Sequence, residues 1–252
     1  RAGAAVLHAG RVGKDAAWLI ERLQREGVDT SFLHAGETPT GHAVIQVAPS
    51  GENAIVLYGG ANQCVTEADV LSALSSCSPG DWLLLQNETS GVAQAIRAAH
   101  ERGMKIVFNP APMTPDVRLY PLDMVDIFIL NETEAEELTG AKDPGAICAG
   151  VRKQYPRAAT VLTLGDKGAL YSDAGAQYHE PALPVNAVDT TAAGDTFIGY
   201  FLAELMRTGS PEKALALGCR AAAVCVTIAG AADSIPARAE VTPEGQTPQR
   251  TQ

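Results

Sequence analysis

Positive charge is scarce in this sequence. Lys and Arg number 19 against 29 Asp and Glu, for a formal net charge of −10. A surface built to hold nucleic acid irrespective of sequence, or an anionic membrane, needs the opposite balance, although a local basic pocket is compatible with it. Long apolar runs are missing too. No stretch approaches the ~18 uninterrupted apolar residues of a membrane span, and the first residues lack the charged, apolar and small-residue order of a signal peptide. Cysteine is sparse and scattered: Cys64, Cys77, Cys148, Cys219 and Cys225 are odd in number and show no C-x-x-C spacing. That pattern speaks against a metal site or disulfide framework and reads as reduced structural thiols in a cytoplasmic protein. Internal repeats and an interdomain linker are absent as well.

What is present is an apolar, glycine-rich chain. Its 252 residues, 46% of them apolar and 24 of them Gly, suffice for one large α/β domain but not for two generous ones. Residues 4–8 read as a short buried strand, followed by a glycine turn and a helix from about Asp15 with Ala16, Leu19, Ile20 and Leu23 on one face. Residues 42–48 and 54–58 alternate like strands around Pro49-Ser50-Gly51-Glu52-Asn53, which predicts a hairpin. From Thr66 the pattern is regular: helix 66–76, strand 82–86, helix 90–102, then strands at 105–108, 125–130 and 161–164, with an edge hairpin over 171–180. Such alternation predicts a mostly parallel sheet covered on both faces. Ligands bind these sheets beyond the carboxyl ends of the strands. The rule selects Asn87 and Glu88, residues 109–112, residues 131–134 and residues 165–168. Each also has a plain structural reading. Glu88 and Asn131 suit helix caps, the prolines of 109–112 suit a turn, and Lys167 suits a solvated turn.

The most informative stretch is residues 186–206, NAVDTTAAGDTFIGYFLAELM. Between Val188 and Phe197 no side chain is bulky, whereas Phe197, Ile198, Phe201, Leu202, Leu205 and Met206 recur at helical spacing. A helix starting near Gly194 would aim its unpartnered first N–H groups at the small-residue loop, and such an end attracts anions. Ala192, Ala193 and Gly194 would let a phosphate approach the backbone closely. Asp195, in the first turn, is an odd choice for phosphate binding alone because like charges repel. It suits a general base acting on an attacking hydroxyl. The plainer alternative is an acid that complements the helix dipole. A second, nearly apolar helix opens at Pro211, and from Ala237 the sequence is polar and proline-dotted, which reads as a frayed tail.

DTTAAGDTF resembles the signature of the ribokinase (PfkB) family of sugar kinases, in which a D-T-x-[AG]-[AG]-G-D loop supplies both anion hole and catalytic base. The resemblance covers nearly the whole chain in order. Thr40-Gly41 and Gly59-Gly60-Ala61-Asn62 resemble turns near the family's sugar site, and Asn109-Pro110-Ala111-Pro112 its N-P-A-P turn. Asn131-Glu132-Thr133-Glu134 matches its N-x-x-E motif. Thr163-Leu164-Gly165-Asp166-Lys167-Gly168 is similar to its T-L-G-x-x-G segment, and GAADSIP, ending at Pro236, to its G-A-x-x-S-x-P loop. The implied fold is a three-layer α/β/α ribokinase-like (Rossmann-like) domain over residues 1–236, with 40–62 as a reduced lid and 237–252 as a polar tail. Beside the family, the sequence is expected to lack about four dozen upstream residues, among them the first core strand, part of the lid and a G-G-x-x-x-N sugar motif.

Carried over residue by residue, the resemblance implies Asp195 as the base and the amides of Ala192, Ala193 and Gly194 as the phosphoryl cradle. Asn131, Glu134, Thr163, Gly165 and Gly168 would line the ATP site, with Mg²⁺ reached from Glu134 through water. Gly41, Asn62 and Glu88, together with Asp195, would meet the acceptor. A monovalent cation, usually potassium, would sit at Asp189, Thr191 and Ser234, with the carbonyls of Cys225, Ile228 and Gly230 as further ligands. The implied reaction phosphorylates a primary hydroxyl of a small sugar, ribose first. Fructose and its phosphates, 2-keto-3-deoxygluconate and nucleosides remain alternatives because the catalytic half is common to all of them. A reading of another class is a nucleotide-binding remnant without a complete acceptor pocket. The implied partners are the sugar, ATP and, since relatives' lid strands form a dimer contact, a second copy of the chain.

Overall fold

The computed structural model describes residues 1–47 and 53–242, and the side chains of all of these except 45–47 and 53–55. They group into two compact units, Ala5–Val125 and Arg1–Ala4 with Asp126–Gln252.

In the first unit β1 (Leu7–Gly13) pairs in parallel with β2 (Asp29–Gly36), joined through α1 (Ala17–Arg25). β1 starts later and runs further than the strand expected at 4–8. Its Gly10 and Gly13 lie within the ladder, opposite Leu33 and Gly36, rather than in a turn. Crowding accounts for Gly13, where a Cβ would lie 2.1 Å from Asp15 Oδ1 and 2.7 Å from the Thr40 nitrogen. The apolar face read from the sequence is realised: Val12, Ala16 and Leu33 form a core against which Leu19, Ile20 and Leu23 pack. β3 (His42–Val47) and β4 (Asn53–Tyr58) pair antiparallel as expected; residues 49–52 of the expected turn lie outside the described residues. Then follow α2 (Glu67–Leu74), β5 (Trp82–Gln86), α3 (Val92–Glu101) and β6 (Lys105–Asn109). β5 and β6 are parallel, and register places Gln86 opposite Asn109 at their carboxyl ends.

One carboxylate ties this unit together. Thr66 caps α2 and forms a capping box with Asp69, and Asp69 also receives the Arg11 guanidinium from β1 through two bonds of 2.8 Å. That pairing, largest among its causes, holds the Asp69 carboxyl well below the usual carboxylate range.

The second unit contains β7 (Ile127–Asn131), α4 (Glu132–Thr139), α5 (Pro144–Gln154), β8 (Ala159–Thr163), β9 (Ala169–Ser172) and β10 (Gln177–Glu180), then α6 (Ala193–Thr208), α7 (Pro211–Cys225) and α8 (Arg238–Val241). β7 and β8 are parallel, and β9 and β10 add the antiparallel edge hairpin. β7, β8 and β9 are almost wholly buried, as strands covered on both faces must be. The stretch from Ala237, expected as a frayed tail, includes α8, whose Val241 is buried in a cluster with Tyr200, Leu217 and Ala221; residues 243–252 lie outside the described residues. α6 and α7 approach closely because Gly218 presents no Cβ, which would come within 2.9 Å of the Phe197 ring.

Among the described residues no helix is long and apolar enough to cross a membrane. All five cysteines are free thiols. Cys64 and Cys77, half-buried, belong to the first unit, and Cys148, Cys219 and Cys225, buried, to the second. Burial pushes the Cys219 thiol up to about 12.

Asp69→Asn is expected to cost about 1–2 kcal/mol at neutral pH, from the loss of a charged acceptor that serves both a helix start and Arg11. Because folding depresses the Asp69 pKa, its contribution is full above the unfolded value and is lost as pH falls below about 4. Calorimetric melts should therefore show a gap between wild type and variant at pH 7 that narrows in acid.

Candidate active site

The start of α6 is set by one unusual residue. Ala192, its N-cap, has φ 60° and ψ 10°, and among the described residues it is the only non-glycine with positive φ. That backbone costs an alanine about 1–2 kcal/mol. It swings the chain so that the helix opens at Ala193, one residue before the expected start, with no side chain capping the end. The Ala193 N–H donates to Thr190 O at 3.2 Å, so one of the three amides expected in the cradle closes the loop's own turn. Gly194 is different. A Cβ there would meet nothing within 4 Å, so packing does not require a glycine, whereas close approach by a phosphoryl group would. Asp195 follows, exposed in the first turn.

The loop leading to Ala192 is laced to the segment after α7. Asp189 Oδ1 accepts the Thr191 N–H and Oδ2 accepts the Gly230 N–H, each at 2.9 Å. The Gly230 bond, then those to Thr191, hold the Asp189 carboxyl down at about 2. Val226 O accepts both the Val188 N–H and the Asp189 N–H, at 2.7 and 3.1 Å, and Cys225 O accepts the Ile228 N–H at 3.1 Å. Ser234, buried, donates its hydroxyl to Ala231 O at 2.7 Å. Asp189, Thr191, Cys225, Ile228, Gly230 and Ser234 thus share two interlaced loops. Their donors are carbonyls, hydroxyls and one carboxylate, an oxygen set that fits an alkali cation.

In the same unit Asn131 and Thr163, expected beside the nucleotide, face each other at the carboxyl ends of β7 and β8. Asn131 caps α4 and accepts the Glu134 N–H at 2.8 Å. Glu134 is buried, and its two oxygens accept the Asn131 backbone N–H at 3.0 Å and side-chain amide at 2.9 Å. The two glycines after β8 differ in kind. At Gly168, φ 96°, a Cβ would lie 2.0 Å from Glu180 O and 2.6 Å from Ala182 N, whereas at Gly165, φ 59°, it would meet nothing. Gly168 therefore lets this turn press against the segment leading to Asp189, and Gly165 stands open. Lys167 lies 3.6 Å from Glu132, and both are largely exposed. Among the described residues no three His, Cys, Asp or Glu gather as a metal cluster.

Gly41, Asn62 and Glu88, expected at the acceptor, belong to the first unit and gather there, whereas Asp195, expected with them, belongs to the second. A Cβ on Gly41 would come within 2.6 Å of Gly59 O and 2.9 Å of the Asn62 amide. Ser90 N–H donates to Asn62 O at 3.1 Å, and the Gln63 amide to Glu88 O at 3.2 Å. Beside them lies a cavity of about 280 Å³ lined by Gln63, Asn87, Thr89, Ser90, Thr114 and Tyr120 among others. Two positioning residues here carried no sequence motif. Asp15 Oδ1 accepts the Thr40 hydroxyl at 2.9 Å and its N–H at 3.2 Å, which fixes the residue before Gly41. Asn87 donates to Pro112 O and Thr114 Oγ1 and accepts from the Tyr120 hydroxyl, pinning residues 112–114 to the end of β5.

Comparisons with known proteins bear on the family and the fold. The model of the pfkB family carbohydrate kinases matches residues 1–238. Ribokinase of Haemophilus influenzae is 39% identical over 95% of this chain and 81% of that protein. Ribokinase of Cryptococcus neoformans in complex with ADP is 34% identical, with a TM-score of 0.83 over 95% of this chain and 83% of that one. Ribokinase of Arabidopsis thaliana complexed with ribose and ATP is 30% identical, with a TM-score of 0.83 over 94% and 80% of the two chains. The chain is thus a phosphotransferase with an alcohol acceptor, built on the ribokinase-like α/β fold. It belongs to the pfkB family of carbohydrate kinases.

Gly194→Ala separates fold from chemistry. The melting temperature should hold or rise, since the position is helical and uncrowded, while kcat for phosphotransfer should fall about 10²-fold through displacement of the phosphoryl group. Parallel melting and steady-state assays check both.

Proposed function

We propose that this enzyme transfers the γ-phosphate of ATP to the primary hydroxyl of D-ribose, giving ribose 5-phosphate. The observation that carries the proposal is an acid, Asp195, in the first turn of a helix whose start has no side-chain cap. In this reading Asp195 takes the proton from the attacking hydroxyl, and the open N–H groups at the α6 start, Gly194 foremost, stabilise charge on the transferring phosphoryl. Asn131, Thr163 and Gly165 flank the nucleotide, and Gly168 keeps their turn in place. When bound, Mg²⁺ neutralises the phosphates. Glu134, whose oxygens already accept from Asn131, would reach that ion through water. The loops of Asp189, Thr191, Cys225, Ile228, Gly230 and Ser234 would hold a potassium ion, which would supply fixed positive charge beside the cradle. Gly41, Asn62 and Glu88 hold the sugar. Ribose is favoured over other acceptors because the relatives at 30–39% identity described above are named ribokinase.

The five free thiols support a reducing, cytoplasmic setting. The β3–β4 hairpin exposes Val44, Val56 and Tyr58 on one face and Leu57 on the other, and these apolar side chains support a homodimer through the lid. Sedimentation over a range of protein concentrations tests it.

Asp195→Asn is expected to lower kcat about 10³-fold while ATP affinity, measured by titration calorimetry, stays near wild type; wild-type turnover in the variant would sink the assignment. In a coupled ADP-release assay over pentoses, hexoses, ketoacids and nucleosides, ribose should give the highest kcat/KM, and potassium should raise the rate. Nucleotide binding with no stimulation by any acceptor would instead support a remnant without a complete pocket.

A further inference from the structure

We propose that a buried hydrogen-bond chain, Thr196 to Cys225 to Ser234, positions the turn that carries Asp195, an inference that rests on Asp195 being the base. The three residues are 2%, 0% and 1% exposed. Thr196 Oγ1 donates to Cys225 Sγ at 3.3 Å. Ser234 Oγ has one proton and donates it to Ala231 O, so the 3.1 Å contact between Cys225 Sγ and Ser234 Oγ is made by the thiol proton. The chain then runs one way, hydroxyl to thiol to hydroxyl to carbonyl, with one proton per link. Thr191 O, 3.8 Å from the same sulfur, is a second acceptor for the thiol.

One sulfur atom therefore reaches three segments: the first turn of α6 immediately after Asp195, the carbonyl immediately before left-handed Ala192, and the loop after α7. Asp189 holds the N–H of Thr191 while the sulfur lies 3.8 Å from its C=O, so the residue preceding the strained one is flanked on both sides. The other buried cysteines lack this reach; the Cys219 thiol, for instance, donates to Glu180 O at 3.9 Å. An apolar residue at 225 would strand the buried Thr196 hydroxyl and remove the donor to Ser234, which keeps its own bond to Ala231 O. Serine would restore one donor and one acceptor, and neither change removes the residue 225 carbonyl from the cation loop. Thr196 and Cys225 are positioning residues, since neither is placed against substrate.

The test uses Cys225→Ala, Cys225→Ser, Thr196→Val and the Cys225→Ala/Thr196→Val double variant of the full chain, with steady-state kinetics and amide hydrogen exchange. Cys225→Ala and Thr196→Val should each lower kcat about tenfold with KM for the acceptor little changed. Cys225→Ser should recover most of the loss, and the double variant should be no worse than either single change. Amides of residues 190–196 should exchange faster in Cys225→Ala while those of 214–221 in α7 do not. A packing role alone predicts the opposite order, with alanine tolerated and serine worse. That order, additive losses in the double variant, or unchanged exchange at 190–196 would overturn the proposal. Thr196→Val preserves shape if Cys225→Ala folds poorly, and exchange is read without turnover. Failure of the kinase reading, seen as a wild type inert toward every acceptor, is thereby distinguished from failure of the chain.

Discussion

Ala192 in the left-handed region is the constraint on which the catalytic half depends. Left to itself an alanine would relax out of that conformation, since the cost of about 1–2 kcal/mol is comparable to a single hydrogen bond. It is held because its neighbours have no freedom to follow. Asp189 fixes Thr191 and Gly230, Val226 O takes two successive amides, and the closed Thr190 to Ala193 turn completes the loop. The turn leaves the start of α6 without a side-chain cap, and an uncapped helix start is where the fold can accept an anion from outside. Close packing of α7 on α6, made by Gly218 against Phe197, brings the segment after α7 within reach of this loop. Packing and site are therefore one arrangement.

Glycine does two separate jobs here, and geometry sorts them. Gly13, Gly41, Gly168 and Gly218 are glycines because another part of the chain occupies the space of a side chain. Gly165 and Gly194 meet nothing of the protein itself. Gly194 is helical and uncrowded, as is Gly199 further along α6, so the fold itself does not call for a bare Cα at either. For Gly165 the positive φ is a sufficient reason.

Periodicity and motif spacing made the alternating helices and strands legible from Thr66 onward, along with the hairpin, the α6 start within one residue and the pairing of Asn131 with Glu134, which is local and repeats cap chemistry. What sequence could not show depends on partners remote along the chain. β1 crosses two glycines that read as a turn because the residues crowding Gly13 include Thr40, some 27 positions away. α8 has one apolar residue of consequence, Val241, which only Tyr200, Leu217 and Ala221 make into a core position. Asp15 and Asn87 act on segments about 25 residues distant; no local pattern marks Asp15, and the strand-end rule that selects Asn87 does not show what it binds. The same holds for the Cys225 side chain, a thiol that composition marked only as reduced and structural.

The distribution of thiols gives the molecule a built-in asymmetry for labelling. Cys148, Cys219 and Cys225 are sealed within the unit that carries Asp195, while Cys64 and Cys77 are partly open in the unit that carries Gly41, Asn62 and Glu88. Since thiol reactivity requires both access and an ionisable sulfur, a maleimide dye added to the native enzyme is expected to mark the unit of Cys64 and Cys77 and leave the other untouched. Cys64, with its sulfur beside Thr38 and Gly60, would carry that dye next to the two turns at the base of the β3–β4 hairpin, where a fluorophore reports on the hairpin's surroundings without any engineered residue.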